Sequence, residues 1–590
     1  MLYWIDLVPD GKTMLYSSNA SGITHLYVSL TKPGSRPIQI TSGNEPIIAG
    51  WFSPGGNRIL YPQDESGNEL DHLFVTSLDG TKTERITKQP CRTFDVSWHP
   101  NGREIVRVYS GRESCGIEVI DVETKESLVL KEQEAPFFTA TYSHDGGWIA
   151  CTEYGGGKDP KSTQVSVVSR NDPADMINYK LNDGSKEEYP SWAPDDQRLA
   201  FLSDARGKPE VVIQDFKSDD HFFLSLEEGE EVLESLGGLP VSWASTGNSV
   251  YYIVSKHGRT GVYEHPLSGE KIALPFPAGT VSMQRISKDG KFLVALHSSM
   301  SSPHCIYRCA AGSKTVTPLT SRTGKEDFSK LAKPTSVWYE SFDGLKIHSW
   351  YLSAVKGKPL HPAVTVVHGG PWSQYGDAWS PYLQSISQSG FALLVPNFRG
   401  STGYGAEFRN MDVSDLGGGD LEDVVAGAKW LAGQQDIDKS KIAIMGGSYG
   451  GYMTLIALTK KPEVFAAGVA FVPITDFSEV YELSDASYRR FWEELFGGFP
   501  DQKRDAYRNS SPINYVSQIK APVLISCGRN DSRCPIQPVE KFVEKLKEMK
   551  HPHEFRVTED EGHVFMFSVE SFKRQVTTGI EYLKRTFDMR

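Results

Sequence analysis

Residues 442–454 read IAIMGGSYGGYMT: apolar β-formers, a glycine pair, Ser448, Tyr449 and a second glycine pair. Glycine weakens strands and helices alike, so four of them around one serine require a reason. One reading is a Gly-rich turn joining a strand to a helix. The other is a nucleophile elbow, G-x-S-x-G, in which the chain reverses so tightly that only hydrogen fits beside the serine. The elbow predicts a buried strand before Ser448 and a helix after it. KIAIMGG (441–447) and YMTLIALTKK (452–461) supply both patterns.

The surrounding chain has the same grammar. AVTVVHGG (363–370), FALLVPNF (391–398), FAAGVAFVP (465–473), APVLISCG (521–528) and HEFRVTE (553–559) are strand-like runs, most of them continuously apolar as in buried parallel strands. GDLEDVVAGAKWLAGQ (419–434, with Asp420 as expected N-cap), VEKFVEKLKEMK (539–550) and FKRQVTTGIEYLKRTF (572–587) have helical spacing. Strands alternating with helices predict an α/β domain over 326–590, entered through a hairpin turning at Asp343-Gly344.

Residues 1–325 are organised differently. VPDGKTMLY (8), SPGGNRILY (53), HPNGREIVR (99), SHDGGWIAC (143), APDDQRLAF (193), ASTGNSVYY (244) and SKDGKFLVA (287) each set a polar turn before an alternating strand. Trp51-Phe52, Trp98, Trp192 and Trp243 lie just upstream of four of them. A period of about 45 residues suits a four-stranded blade. Seven copies predict a seven-bladed β-propeller over 1–325, in preference to a row of β-sandwiches. The first copy begins so near residue 1 that the pattern does not specify how the ring closes.

The chain has 590 residues, net charge −12 and pI about 5.7, which argues against a nucleic-acid or anionic-membrane surface. No apolar run reaches the roughly 18 residues of a membrane span, and MLYWIDLVPDGK lacks the features of a signal peptide. Seven scattered cysteines without CxxC, and no HExxH, fit free thiols in a reducing cytoplasm and predict no metal or cofactor.

A serine nucleophile needs a base and a group that orients the base. Three histidines follow Ser448: His551, His553 and His563. The first two flank a proline ahead of a strand, whereas His563 follows that strand in EDEGHVF and is the expected base. Asp531, directly after strand APVLISCG, is the expected acid, with Asp476 and Asp560 as alternatives. The backbone N–H of Tyr449 and the loop His368-Gly369-Gly370-Pro371 are expected to hold an oxyanion, with His368 fixing the loop.

The propeller repeats followed by VVHGGPW, NFRGSTGYG, GGSYGGYMT, GRNDSRCP and EGH resemble, over essentially the whole chain, the prolyl oligopeptidase family of serine peptidases, and within it most the acylaminoacyl-peptidase branch. The resemblance implies acyl transfer by Ser448, Asp531 and His563. The position of the family's oxyanion-hole tyrosine is His368 here, so the N–H of Gly370 is implied as second donor. In VYELSDASYRRFWEELFGG (480–498), Tyr488, Phe491, Trp492 and Leu495 have helical spacing; the resemblance implies that they line an apolar pocket with Phe477. Arg533 would hold a substrate carbonyl or carboxylate, or form a structural ion pair. No acidic motif of the dipeptidyl-peptidase kind is found, and EEGEE (227–231) reads as a solvated loop. The implied substrates are short peptides or N-acyl amino-acid derivatives, admitted past the propeller. A carboxypeptidase or carboxylesterase on the same scaffold, and a catalytically silent propeller protein, are the rival expectations. Homo-oligomerisation is compatible with all three.

Overall fold

A computed structural model of the chain describes residues 1–155, 162–233, 240–320, 327–357 and 360–589. The expected domain boundary at 325/326 lies outside the described residues.

The first half is a seven-bladed propeller. Six sheets have four antiparallel strands each, and the sixth blade has five, its inner edge being shared by Glu231–Val232 and Val241–Trp243. The repeated turn joins the first and second strands of every blade. It places one residue in the left-handed region: Gly11, Gly56, Gly102, Gly146, Gly247 and Gly290, all with φ between +67° and +78°. The remaining copy, the fifth in chain order, has Asp196 there at φ +55°. Its carboxylate accepts the backbone N–H groups of His144 (2.8 Å) and Asp145 (2.9 Å) in the preceding blade's turn. Asp tolerates this conformation better than most side chains, and the two bonds offset the remaining cost.

Each pair of neighbouring blades shares one apolar cluster. Leu15, Leu26, Phe52 and Ile59 join blades 1 and 2, and five further clusters continue around the ring. The repeated tryptophans span these joints. Nε1 of Trp98 donates to Trp51 O (3.4 Å), that of Trp192 to Thr141 O (3.3 Å), and that of Trp243 to Ser191 O (3.0 Å). The ring closes in the same manner. Trp4, Ile5, Met14 and Tyr16 of blade 1 pack on Met283, Phe292, Val294 and Leu296 of blade 7, and among the described residues no strand is exchanged between the two.

The second half is an eight-stranded sheet. Its strands are β1 (Thr335–Glu340), β2 (Lys346–Leu352), β3 (His361–Val367), β4 (Ala392–Asn397), β5 (Ile437–Gly447), β6 (Ala467–Phe471), β7 (Val523–Gly528) and β8 (His553–Thr558). Their order is β1-β2-β4-β3-β5-β6-β7-β8, with β2 antiparallel to both of its neighbours, β1 and β4, and all other pairs parallel. Helices α1 (Pro381–Gln388) and α7 (Val569–Thr586) cover one face. Helices α2 (Gly419–Ala432), α3 (Tyr449–Lys460), α4 (Phe477–Leu483), α5 (Ala486–Phe496) and α6 (Ile536–Glu548) lie on the side of the other apolar cluster. This is an α/β-hydrolase domain. The N-cap of α2 is Gly418 rather than Asp420, which lies inside the first turn because its buried carboxylate accepts the Tyr449 hydroxyl.

All seven blades reach the hydrolase domain, each through the end of its second strand or the loop that follows. Thr24 N–H donates to Phe567 O (2.9 Å), Glu69 pairs with Arg533, and Ala486 N–H donates to Gly111 O (3.3 Å). Tyr154 Oη donates to Glu494 (3.0 Å), Arg409 to Asp204 (2.7 Å), Asp377 N–H to Gly258 O (2.6 Å) and Trp379 N–H to Ser298 Oγ (3.0 Å). Acidic EEGEE is solvated only in its first half, where Glu227 and Glu228 are exposed; its second half is buried, and its last residue takes part in this contact. Glu231 is buried and accepts the N–H groups of Gly403 and Gly405, while Glu230 pairs with Lys271.

Candidate active site

Strand β5 ends at Gly447 and α3 begins at Tyr449, so Ser448 occupies the whole turn between them, at φ +59° and ψ −123°. A non-glycine residue there is strained. The flanking glycines explain how the turn is built. A Cβ on Gly446 would lie 2.6 Å from the carbonyl of Gly450, and one on Gly451 would lie 2.5 Å from Phe471 O. A Cβ on Gly450 would strike the Val367 carbonyl. On Gly447 it would meet only ordinary contacts at 3.7 Å, as expected for the free x position of the motif. Ser448 N–H donates to Phe471 O (3.0 Å), which ties the elbow to β6.

Two loops bring partners to this hydroxyl. His563, after β8, places Nε2 3.0 Å from Ser448 Oγ and Nδ1 2.8 Å from Asp531 Oδ2. Asp531, after β7, accepts the N–H groups of Arg533 (2.9 Å) and Cys534 (2.8 Å) on its other oxygen. Ser448 is half-buried, whereas His563 and Asp531 are 8 % and 6 % exposed. The other candidates lie elsewhere. Asp476 caps α4 through Ser478 N–H (3.0 Å), and Asp560 is exposed. His551 and His553 are half-buried and bonded to backbone carbonyls of Ala521 (2.9 Å) and His551 (2.7 Å).

The loop after β3 lies against the elbow: a Cβ on Gly369 would sit 3.4 Å from Ser448 Cβ. Gly370 follows at φ +122°. His368 is stacked on Phe398 (ring centroids 4.3 Å apart) and bonded to Ser401 Oγ (2.9 Å). Burial lowers its pKa to about 4, so it is a neutral anchor for the loop. Tyr449 directs its ring into the core, stacked toward Phe398 with its hydroxyl on Asp420. As first residue of α3 its backbone N–H has no partner within the helix. The Tyr449 peptide thus adjoins Ser448 along the chain, and Gly369 packs beside its side chain.

Of the expected pocket residues, Phe477, Trp492 and Leu495 are buried in the core, where Phe477 packs edge-on to Trp492 (5.4 Å) and Phe496 (5.1 Å). Tyr488 and Phe491 are partly exposed. Phe491 meets Trp372 of the HGGPW loop (5.7 Å), and Arg92 lies 4.9 Å over the Tyr488 ring. Arg533 forms an ion pair. Its Nε donates to Glu69 Oε1 (2.7 Å), and Arg92 Nη1 donates to Glu69 Oε2 (2.9 Å) while its Nε holds Asp485 (2.7 Å). These two arginines keep the Glu69 carboxyl well below its usual range against the effect of burial.

Glu69 and Arg92 were not indicated by the sequence. They belong to a propeller loop, 64–71, and an inner strand, and only their meeting with Arg533 in space singles them out. The same loop backs the loops that carry Asp531 and His563. Asn530 Nδ2 donates to Ser66 O (3.0 Å), Ser532 Oγ to Glu69 (2.8 Å), and Gly67 lies in backbone contact with Gly562.

Residues 378–590 match the prolyl oligopeptidase family, and residues 30–231 match the TolB beta propeller domain. The chain is a serine peptidase of the prolyl oligopeptidase family. This peptidase is 25 % identical to dipeptidyl aminopeptidase BIII of Pseudoxanthomonas mexicana over 95 % of its own length and 83 % of the relative's. It is 31 % identical to the Homo sapiens acylamino-acid-releasing enzyme over 32 % of its own length and 27 % of that enzyme. A Mycobacterium tuberculosis puromycin-hydrolyzing peptidase shares its fold, with TM-score 0.86 at 20 % identity over 99 % of this chain and 94 % of the other. The peptidase thus resembles acylaminoacyl peptidases as one group among several.

Proposed function

We propose that the peptidase releases N-acylated apolar residues from the start of short peptides. Ser448 attacks the carbonyl and His563 takes its proton. Asp531 orients the imidazole, and the N–H groups of Gly370 and Tyr449 receive the oxyanion. His563 then protonates the leaving amine, and water releases the acyl group from Ser448. The observation that carries the reading is the hydrogen-bonded line Ser448–His563–Asp531 at the ends of three strands. Preference for a neutral acyl end is supported by Glu69, an acidic group that acts electrostatically on His563 and whose charge is already matched by Arg533 and Arg92. Trp372, Phe491 and Tyr488 supply aromatic surface for an apolar side chain.

A second reading rests on the same residue. Glu69 lies where a free amino terminus could exchange for Arg533, which would make this a dipeptide-releasing enzyme.

Rates on acetyl-Leu, acetyl-Phe, acetyl-Arg and free Leu chromogenic amides, with an Ala-Ala amide and an acetyl-Leu ester, separate the readings. Faster turnover of acetyl-Leu and acetyl-Phe supports N-acyl release. A preference for Ala-Ala that Glu69→Gln abolishes supports dipeptide release. Esters cleaved with amides untouched would support the esterase alternative.

A further inference from the structure

Beside the catalytic line lies a thiol that acyl transfer does not use. Cys534, three residues after Asp531, is 3 % exposed, and its backbone N–H donates to Asp531 Oδ1 (2.8 Å). Among the described residues, one group of three metal-capable side chains comes together: Cys534 Sγ, a carboxylate oxygen of Asp531 and a ring nitrogen of His563 lie within 4.8 Å of one another. We propose that these three side chains form an inhibitory site for a thiophilic divalent cation, zinc or cadmium, with Ser448 Oγ or water as fourth ligand.

The chemistry of the donors carries the argument. Donor atoms around tetrahedral zinc, with bonds of about 2.0 to 2.3 Å, lie roughly 3.3 to 3.8 Å apart. The three donors are thus about 1 to 1.5 Å too far apart at most, a distance side-chain rotation covers. Thiolate, carboxylate and neutral imidazole together bring two negative charges, which neutralise a divalent cation in this half-closed place. Binding releases the Cys534 thiol proton to solvent. A thiolate among the donors selects zinc or cadmium over magnesium or calcium, which prefer all-oxygen sites.

Coordination takes at least one His563 nitrogen out of its bond to Ser448 or Asp531. The metal and the catalytic arrangement are therefore mutually exclusive. Binding itself is independent of the proposed substrate; the inhibition rests on His563 acting as base.

The test uses the full-length enzyme. Zinc should inhibit turnover at micromolar concentration, chelator should restore it, and magnesium should do nothing. Cadmium should add a near-ultraviolet thiolate-to-metal absorption at one equivalent, in wild type and in Ser448→Ala. Cys534→Val and Cys534→Ser should lose this band and need at least about 100-fold more zinc for half-inhibition, each measured against its own uninhibited rate. The band reports binding even if the peptidase reading fails. Equal zinc sensitivity in Cys534→Val, or a cadmium band unchanged by that substitution, would overturn the site.

Discussion

The contact between Gly67 of the propeller and Gly562 of the histidine loop can be tested with one methyl group. A Cβ on Gly562 would strike the carbonyl oxygen of Gly67 and lie 2.7 Å from its carbonyl carbon and 3.1 Å from its Cα, where ordinary contact begins at about 3.4 Å. All three obstacles are backbone, so no side chain can turn aside. Clearing the oxygen requires the two loops to part by more than about 1 Å, and the parting begins one residue from His563. Misplacing a catalytic group by about 1 Å costs on the order of 100-fold in rate. Gly562→Ala is therefore expected to lower kcat/KM by about 30- to 100-fold, or about 2 to 2.7 kcal/mol of transition-state stabilisation. Gly562 is not in the left-handed region, so alanine brings no backbone strain of its own. Thermal unfolding should change by only a few degrees, and labelling of Ser448 by a fluorophosphonate should slow in parallel with turnover. A variant that retains its fold and turns over within about threefold of wild type would refute the idea that the propeller loop sets the position of His563.

Ser448→Ala should lose at least about a thousandfold in turnover with its melting temperature maintained, measured by single-turnover rate and calorimetry. Asp196→Gly keeps the left-handed turn but removes the two bonds to the preceding blade's turn; it should cost about 1 to 3 kcal/mol in denaturant unfolding, and Asp196→Ala more, since alanine also bears the strain. Burial lowers His348 to about 4, so an unfolded chain binds its proton first as pH falls below about 6.5. Its contribution is complete above that pH and declines toward pH 4, whereas Asp420, raised to about 6 by burial, acts in the opposite sense. The stability difference between wild type and His348→Asn should accordingly narrow by about 2 kcal/mol between pH 6.5 and 4.5; a constant difference would contradict the burial argument.

The elbow, the seven turns and the alternation of strands and helices could be read from the sequence because each is local: a glycine required by a short turn, or an apolar period of two or 3.6. Asp531 and His563 could be read because each follows a recognisable strand. Asp420 was misplaced by a rule that holds for exposed helix starts, and here the Tyr449 hydroxyl outcompetes the cap. Glu231 looked like solvated acid because charge runs usually are; its partners are peptide N–H groups at residues 403 and 405. Glu69, Arg92 and the Gly67–Gly562 contact depend on two domains meeting, and no pattern within either half encodes the meeting. The closure of the ring was equally silent, because packing of Trp4 and Ile5 on Met283 and Phe292 resembles the packing at every other joint.

That sameness has a mechanical meaning. A ring fastened by a shared strand has one stiff joint and several soft ones, and any hoop strain gathers where stiffness changes. Here the seventh joint is apolar packing like the other six, so a load applied by the domain resting on all seven blades is divided evenly around the circumference. Such a ring would dilate and recoil as a whole rather than open at one joint. The loop at 64–71 would then ride outward and return with its neighbours on each cycle, carrying the backing of His563 with it.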